Sequence, residues 1–254
     1  MAYPRLRLFA GPNGSGKSTL QAFLRQKGFS VDPVINADDI LECLQRTGFL
    51  DVASHYDLRN ITTAEIQTLM EVEPEIQSRI KALGFVPGWK TENDLFVLEE
   101  SNAASSEIAA LMADVLRFLL VKRKRSFSFE TVMSHPSKID FLERANEEGY
   151  TSYLYFISTE DPAINLQRVA NRIKTGGHSV PESRVVERYE RTMQLLLRAL
   201  ELSQRAFLID NSGQRFKVIA EKQYGNTLVV LDKRPPNWFF TYVVSKVDQK
   251  KQET

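Results

Sequence analysis

A single cysteine, Cys43, and three histidines are all that this 254-residue chain offers of thiol and imidazole ligands. One cysteine closes no internal disulfide, and His55, His135 and His178 share no ligand spacing with it or with one another. Neither a disulfide scaffold nor a zinc site is expected. Charge of one sign is lacking too: 33 Lys and Arg stand against 32 Asp and Glu, a net +1, so no global field draws the chain to nucleic acid or an anionic membrane. No run approaches the roughly 20 apolar residues that span a bilayer; the longest, residues 111 to 121, is broken by Asp114 and Arg117. The opening Met1-Ala2-Tyr3-Pro4-Arg5 has no apolar signal-peptide core. The expectation is a cytoplasmic protein without membrane or nucleic-acid partners.

What the chain does have is an alternation of strands and helices. Residues 5 to 10 read as an apolar strand, residues 11 to 18 as a glycine loop, and residues 17 to 26 as a helix that Gly28 can stop. A second strand at 34 to 36, expected beside the first, leads into Asp38-Asp39 and a helical pattern from Ile40. Residues 49 to 101 break the rhythm and read as a mainly helical insertion, with a turn at Pro87-Gly88 and a hairpin through 89 to 98. An amphipathic helix over 103 to 121 precedes the strand 126 to 131, which ends in Glu130-Thr131, and a helix over 136 to 148. A strand at 151 to 159, helices at 162 to 174 and 181 to 204, and a strand at 205 to 209 follow. The predicted fold class is α/β, a five-stranded parallel sheet covered by helices on both faces, with ligands at the carboxyl ends of its strands. Beyond 213, short strands at 216 to 220, 227 to 231 and 238 to 244 predict a small antiparallel appendage and a frayed tail.

Gly11-Pro12-Asn13-Gly14-Ser15-Gly16-Lys17-Ser18 matches G-x-x-x-x-G-K-[ST]. Glycines let backbone amides face phosphates, Lys17, taken as an exposed loop residue, reaches the outer phosphates, and the Ser18 hydroxyl is placed to ligate magnesium. Thr19 completes the expected phosphate-contacting set. A chance match in such a chain is on the order of one in a hundred, and the motif sits between a strand and a helix.

No Walker B strand, whose closing Asp holds the magnesium shell, is expected. Asp38 and Glu130 instead close strands, where a carboxylate takes a proton from an acceptor hydroxyl or holds a magnesium-bound water. The ordinary alternatives are a helix N-cap for Asp38, which Asp39 fits better, and a salt-bridged strand end for Glu130. Arg168 and Arg172, then Arg184, Arg188 and Arg191, line two helices joined by the glycine loop 175 to 180, a plausible lid over a transferring phosphate; an ordinary charged face is the alternative. Lys122-Arg123-Lys124-Arg125 reads as a complement to a helix's C-terminal dipole, and Cys43 as core.

Taken in order, FAGPNGSGKSTL, INADDI, FSFETVMS, RVANRIKTGGHSVPESRVVERYERT and IDNSG resemble the zeta-toxin family of P-loop kinases, over residues 5 to 48 and 126 to 213. The resemblance implies a kinase domain over 1 to 213, its lid at about 168 to 191, and an appendage from 214 to 254. It implies ATP or GTP with Mg2+ as cofactors, transfer to a small-molecule hydroxyl such as that of UDP-N-acetylglucosamine, and an antitoxin partner. By position it makes Lys17, Asp38, Glu130, Arg172 and Arg188 catalytic, with Asp38 the base and Glu130 and Thr131 on the acceptor side, and sets Asn211 near the nucleotide base. The insertion after Asp38 and the appendage depart from the family pattern. A kinase of another nucleotide or metabolite, and a P-loop switch or binding module, are the competing readings.

Overall fold

The computed structural model describes residues 3–99, 103–174, 181–225 and 227–253. They form two compact units: Met1–Val31 with Glu130–Thr254, and Asp32–Phe129. The chain opens with β1 (Arg5–Ala10), the glycine loop and α1 (Lys17–Gln26). It then builds the second unit from β2 (Val34–Ile35), α2 (Ala37–Thr47), β3 (Phe49–Asp51), α3 (Val52–Tyr56), α4 (Thr63–Val72), α5 (Pro74–Leu83), β4 (Trp89–Glu92), β5 (Leu95–Leu98), α6 (Ser106–Lys122) and most of β6 (Phe127–Thr131). Glu130 and Thr131 already belong to the first unit, which continues with α7 (Ser137–Glu147), β7 (Thr151–Ser158), α8 (Pro162–Lys174), α9 (Glu182–Leu202) and β8 (Arg205–Asp210). β9 (Lys217–Lys222), β10 (Leu228–Val230), α10 (Asn237–Phe239), a π-helical turn Phe240–Val244 and α11 (Ser245–Glu253) complete it.

In the first unit β1 and β8 flank β7 in parallel. The register is pinned by an aromatic ladder: Phe9 stacks on Tyr155 at 4.9 Å between ring centroids, and Tyr155 on Phe207 at 5.1 Å. Such cross-strand pairs fix which residues stand level at the strand ends, and here they align the strand of the glycine loop with the strand that ends at Asp210. Leu6, Leu8, Leu154 and Phe156 are fully buried. The predicted appendage is different from its expectation. β9 pairs antiparallel with β8, and β10 with β9, so two of its strands extend this sheet. The predicted strand at 238 to 244 is helical, because Trp238, Phe239 and Val243 bury themselves at helical rather than alternating spacing.

In the second unit β2 pairs in parallel with β6, Val34 opposite Ser128 and Ile35 opposite Phe129. Its partner is therefore β6 rather than β1. The five predicted strands all exist in parallel pairings, and the fold is α/β with a parallel-dominated sheet. The insertion carries its two predicted helices and the hairpin β4–β5, to which β3 adds a third antiparallel strand that the sequence reading did not separate. α6 was expected to be amphipathic, but residues from Ile108 to Val121 are buried almost without interruption, charges included. Arg117, 2% exposed, pairs with Asp114 and with Glu75 at 3.0 Å and lies 4.9 Å over the Phe129 ring. Removing one partner from such a cluster leaves charge uncompensated. Arg117→Met is expected to cost about 3 kcal/mol in chemical denaturation, the low end of the range because Arg79 still pairs with Asp114.

Candidate functional site: the glycine loop and its braces

The loop's shape demands its glycines. Gly11 has φ +146° and Gly16 φ +101°, in the region that side-chain-bearing residues avoid. A Cβ on Gly11 would strike the Ile157 carbonyl oxygen, and one on Gly16 the Asn211 side-chain amide. α1 begins at once after Gly16 with no side-chain cap and no acid in its first turn. Its first amides and the positive end of its dipole are thus left to an incoming anion.

Lys17 lies at the start of α1 but is only 7% exposed, which corrects the expectation of an exposed loop residue. Its Nζ donates to the Gly11 carbonyl at 2.9 Å and to the Pro12 carbonyl at 3.0 Å, with Glu130 Oε1 at 4.0 Å. Ser18 Oγ donates to the same carboxylate, 2.9 Å from Oε2 and 3.2 Å from Oε1. Gln21 Nε2, one helical turn on, donates to Oε2 at 2.7 Å. Glu130 is thereby held on the Ser18 face of α1. Thr131 serves its own turn, accepting from the Met133 amide at 2.9 Å. Thr19 is exposed.

Two further braces hold the loop. Asn211 Nδ2 donates to the Ser15 carbonyl at 2.8 Å. Asn165, fully buried on α8, donates from Nδ2 to the Asn13 carbonyl at 2.7 Å and accepts at Oδ1 from Thr159 Oγ1. Behind β8, Asp210 accepts from Ser212 Oγ at 2.8 Å and from Trp238 Nε1 at 3.3 Å. Within this frame two buried oxygens, Ser15 Oγ and Asn13 Oδ1, have no hydrogen-bond partner among the described residues. Gln21, Asn165 and Trp238 were missed in the sequence. The first shares a helix face with Ser18, and the second is an amide at a core position of a helix, signals that hint at burial but name no partner.

In the second unit, the capping question at α2 has a definite answer. Asn36 is the N-cap, its side chain accepting from the Asp38 amide at 3.0 Å. Neither Asp38 nor Asp39 caps the helix, and both carboxylates sit exposed in its first turn. Asp39 is close enough to Tyr56 that, after burial, its charge is the next cause of that phenol's raised pKa. In the basic run at the end of α6, Lys122 and Arg123 meet Glu65 at 3.0 and 2.9 Å, and Arg125 meets Asp57. Cys43 is half-buried, its thiol directed to the Phe49 carbonyl.

The arginine helices α8 and α9 are both formed. Arg188 is half-buried and Arg172 and Arg184 exposed, whereas Arg191 pairs with Glu187 at 3.1 Å as an ordinary charged face. Arg168 reaches the Gly213 carbonyl at 3.4 Å. The glycine segment expected between the helices, with His178, lies outside the described residues. Among the described residues no cluster of three or more His, Cys, Asp or Glu is spaced to hold a metal, and no helix is long and apolar enough to cross a membrane.

Comparison with known proteins follows the same outline. An uncharacterised protein of Haemophilus influenzae is 35% identical over 69 residues, covering 27% of this chain and 49% of that protein. The chain thus spans about half the length of this curated relative. The crystal structure of AvrRxo1-ORF1:AvrRxo1-ORF2 with sulphate ions aligns with a TM-score of 0.56 at 14% identity, over 91% of this chain and 62% of that one. The complex crystallised with ATP gives a TM-score of 0.56 at 15% identity, over 91% and 61%. At such identities the likeness is one of fold. The Zeta toxin family model matches residues 89–226, a stretch that holds β6 with Glu130, both arginine helices and the Asn211 loop. That is more than half of the sequence, and the chain belongs to the Zeta toxin family.

Proposed function

We propose that this chain is an ATP- or GTP-dependent phosphotransferase that moves the γ-phosphate to a hydroxyl of a small molecule, with a nucleotide sugar such as UDP-N-acetylglucosamine as the first acceptor to test. The observation that carries the reading is the glycine loop itself: a buried lysine ammonium, an uncapped helix N-terminus and the orphaned Ser15 hydroxyl converge on one anion-shaped cradle. ATP in the AvrRxo1 complex is in keeping with it.

The roles follow from the chemistry of each group. Lys17 exchanges loop carbonyls for phosphate oxygens and neutralises them. Ser18 and Glu130 present only hard oxygen donors, as magnesium prefers, so their pairing fits the ion and they are the residues to hold it, directly or through water. Bound there, magnesium would offset the charge on the outer phosphates. Asp38, free of the capping duty, takes the acceptor's hydroxyl proton; the acceptor oxygen bonds to the γ-phosphorus as the bond to the β–γ bridging oxygen breaks and the nucleoside diphosphate leaves. Arg172 and Arg188 stabilise charge spread over the transferring group, and Asn211 shapes the nucleotide end of the loop. An antitoxin is the protein partner proposed, as the family name and the two-component AvrRxo1 complex suggest.

The direct test incubates the protein with ATP, magnesium and a metabolite extract and searches by mass spectrometry for products heavier by one phosphate. A nucleoside diphosphate and inorganic phosphate without any phosphorylated acceptor would favour the NTPase-switch reading. Arg172→Ala and Arg188→Ala are each expected to lower kcat by about a hundredfold or more while changing the nucleotide KM little, as removal of a transition-state charge contact does. Variants that raise only KM would reduce these arginines to substrate binding.

A further inference from the structure

We propose that Asn165 is a positioning residue that sets the conformation of the glycine loop and ties it to both arginine-bearing helices; the inference rests on the phosphotransferase reading above. The amide is committed at both ends. Nδ2 donates to the Asn13 carbonyl, Oδ1 accepts from Thr159 Oγ1, and the Thr159 carbonyl accepts from Tyr189 Oη at 2.9 Å. The resulting chain of hydrogen bonds runs from α9 through the end of β7 to α8 and into the loop. Tyr189 adjoins Arg188 in sequence, and Asn165 stands one turn before Arg168 and two before Arg172, so the same two helices carry the anchors and the arginines.

The contact is close and buried. A Cβ on Gly14 would meet the Asn165 carbonyl oxygen at 2.7 Å, so backbone packs on backbone where α8 starts. Asn165 and Thr159 are fully buried, and Tyr189 is 4% exposed. Burial pushes the Tyr189 phenol up to about 12, so its hydroxyl remains a donor at any working pH. A second clamp, Thr192 Oγ1 to the Val132 carbonyl at 2.7 Å, holds α9 to the segment just after Glu130 and Thr131. Phosphate binding requires the amides of residues 13 to 16 to keep one orientation, and the Asn165 bond fixes the peptide at the head of that run.

Asn165→Asp and Asn165→Ala separate positioning from mere packing. A carboxylate can only accept, and so can the Asn13 carbonyl, so the first variant loses the anchor when ionised and regains it when protonated. Burial raises the pKa of the introduced carboxyl towards neutrality. Ionisable groups on the surrounding elements, among them Lys17, Glu160, Asp161, Arg168, Arg172, Arg188 and Tyr189, are all present in the wild type, whose own profile is subtracted. Expected for Asn165→Asp is nucleotide affinity at least about tenfold below wild type at pH 8, recovering as the pH falls to 6; Asn165→Ala loses affinity at both. Amide exchange across residues 13 to 16 accelerates in both variants while β8 is unchanged. Tyr189→Phe is expected to lower kcat about fivefold with nucleotide affinity intact. Unaltered loop exchange and wild-type affinity in the Asn165 variants would overturn the anchor, and an unaltered kcat in Tyr189→Phe would overturn the link to α9. A wild type that binds no nucleotide would sink the phosphotransferase reading instead, and amide exchange would still decide the anchor.

Discussion

Lys17→Ala is expected to yield a folded chain whose phosphotransfer is reduced by about a thousandfold, because the ammonium is the only cation that the loop itself supplies to the outer phosphates. The residue is not a free appendage. It is buried, gives hydrogen bonds to two loop carbonyls and stands 4.0 Å from Glu130. Truncation therefore also costs stability, about 1 to 3 kcal/mol for acceptors left without their donor. Lys17→Met keeps most of the side chain's volume and should lose the same activity with less change in melting temperature. Nucleotide titration and turnover measured on both variants distinguish chemistry from folding. Turnover that survives in either one would refute the central role of the loop.

The glycine loop was legible in the sequence because all of its parts are contiguous: strand, glycines, lysine, serine and helix follow one another, and local geometry does the rest. Asp38 could be marked as a candidate, but its alternative role as a cap could be removed only by seeing that Asn36 already accepts from the Asp38 amide. Glu130 shows the opposite limit. A carboxylate at a strand end is visible in sequence, whereas its bond to a serine 112 residues away depends on the register of strands that no local pattern encodes. The family resemblance put this residue on the acceptor side; its hydrogen bonds to Ser18 and Gln21 favour a place in the magnesium shell, which is the role proposed for it here.

Residues 238 to 244 are aromatic and β-branched, a composition that favours strands when nothing else decides. Burial decided otherwise, through Trp238 packing on Phe156 and reaching Asp210. Along α6 the acid and base at 114 and 117 suggested a solvated face, yet each found its counter-ion inside the second unit. Asn165 illustrates why a polar residue at a core position is informative even before its partner is known: burying an amide unpaired is costly, so a partner must exist.

Asp38→Asn is expected to abolish transfer to the acceptor, lowering kcat by about a thousandfold, within the range for loss of a general base, while ATP binds almost as tightly as to the wild type. The substitution is conservative in every structural respect that can be checked. Asp38 is exposed, its side chain is not the cap of α2, and its amide, which Asn36 holds, is unaffected by the change. What is lost is one negative charge in the helix's first turn, worth about 0.3 to 1 kcal/mol against the dipole, so the melting temperature should hardly move. Asparagine keeps the shape and cannot accept a proton. Asp39 is the nearest competitor for the role, and its charge is felt at the buried Tyr56. Asp39→Asn should therefore retain turnover. Near-normal turnover in Asp38→Asn, or a larger loss in Asp39→Asn, would move the base elsewhere and show that the INAD segment contributes only its fold.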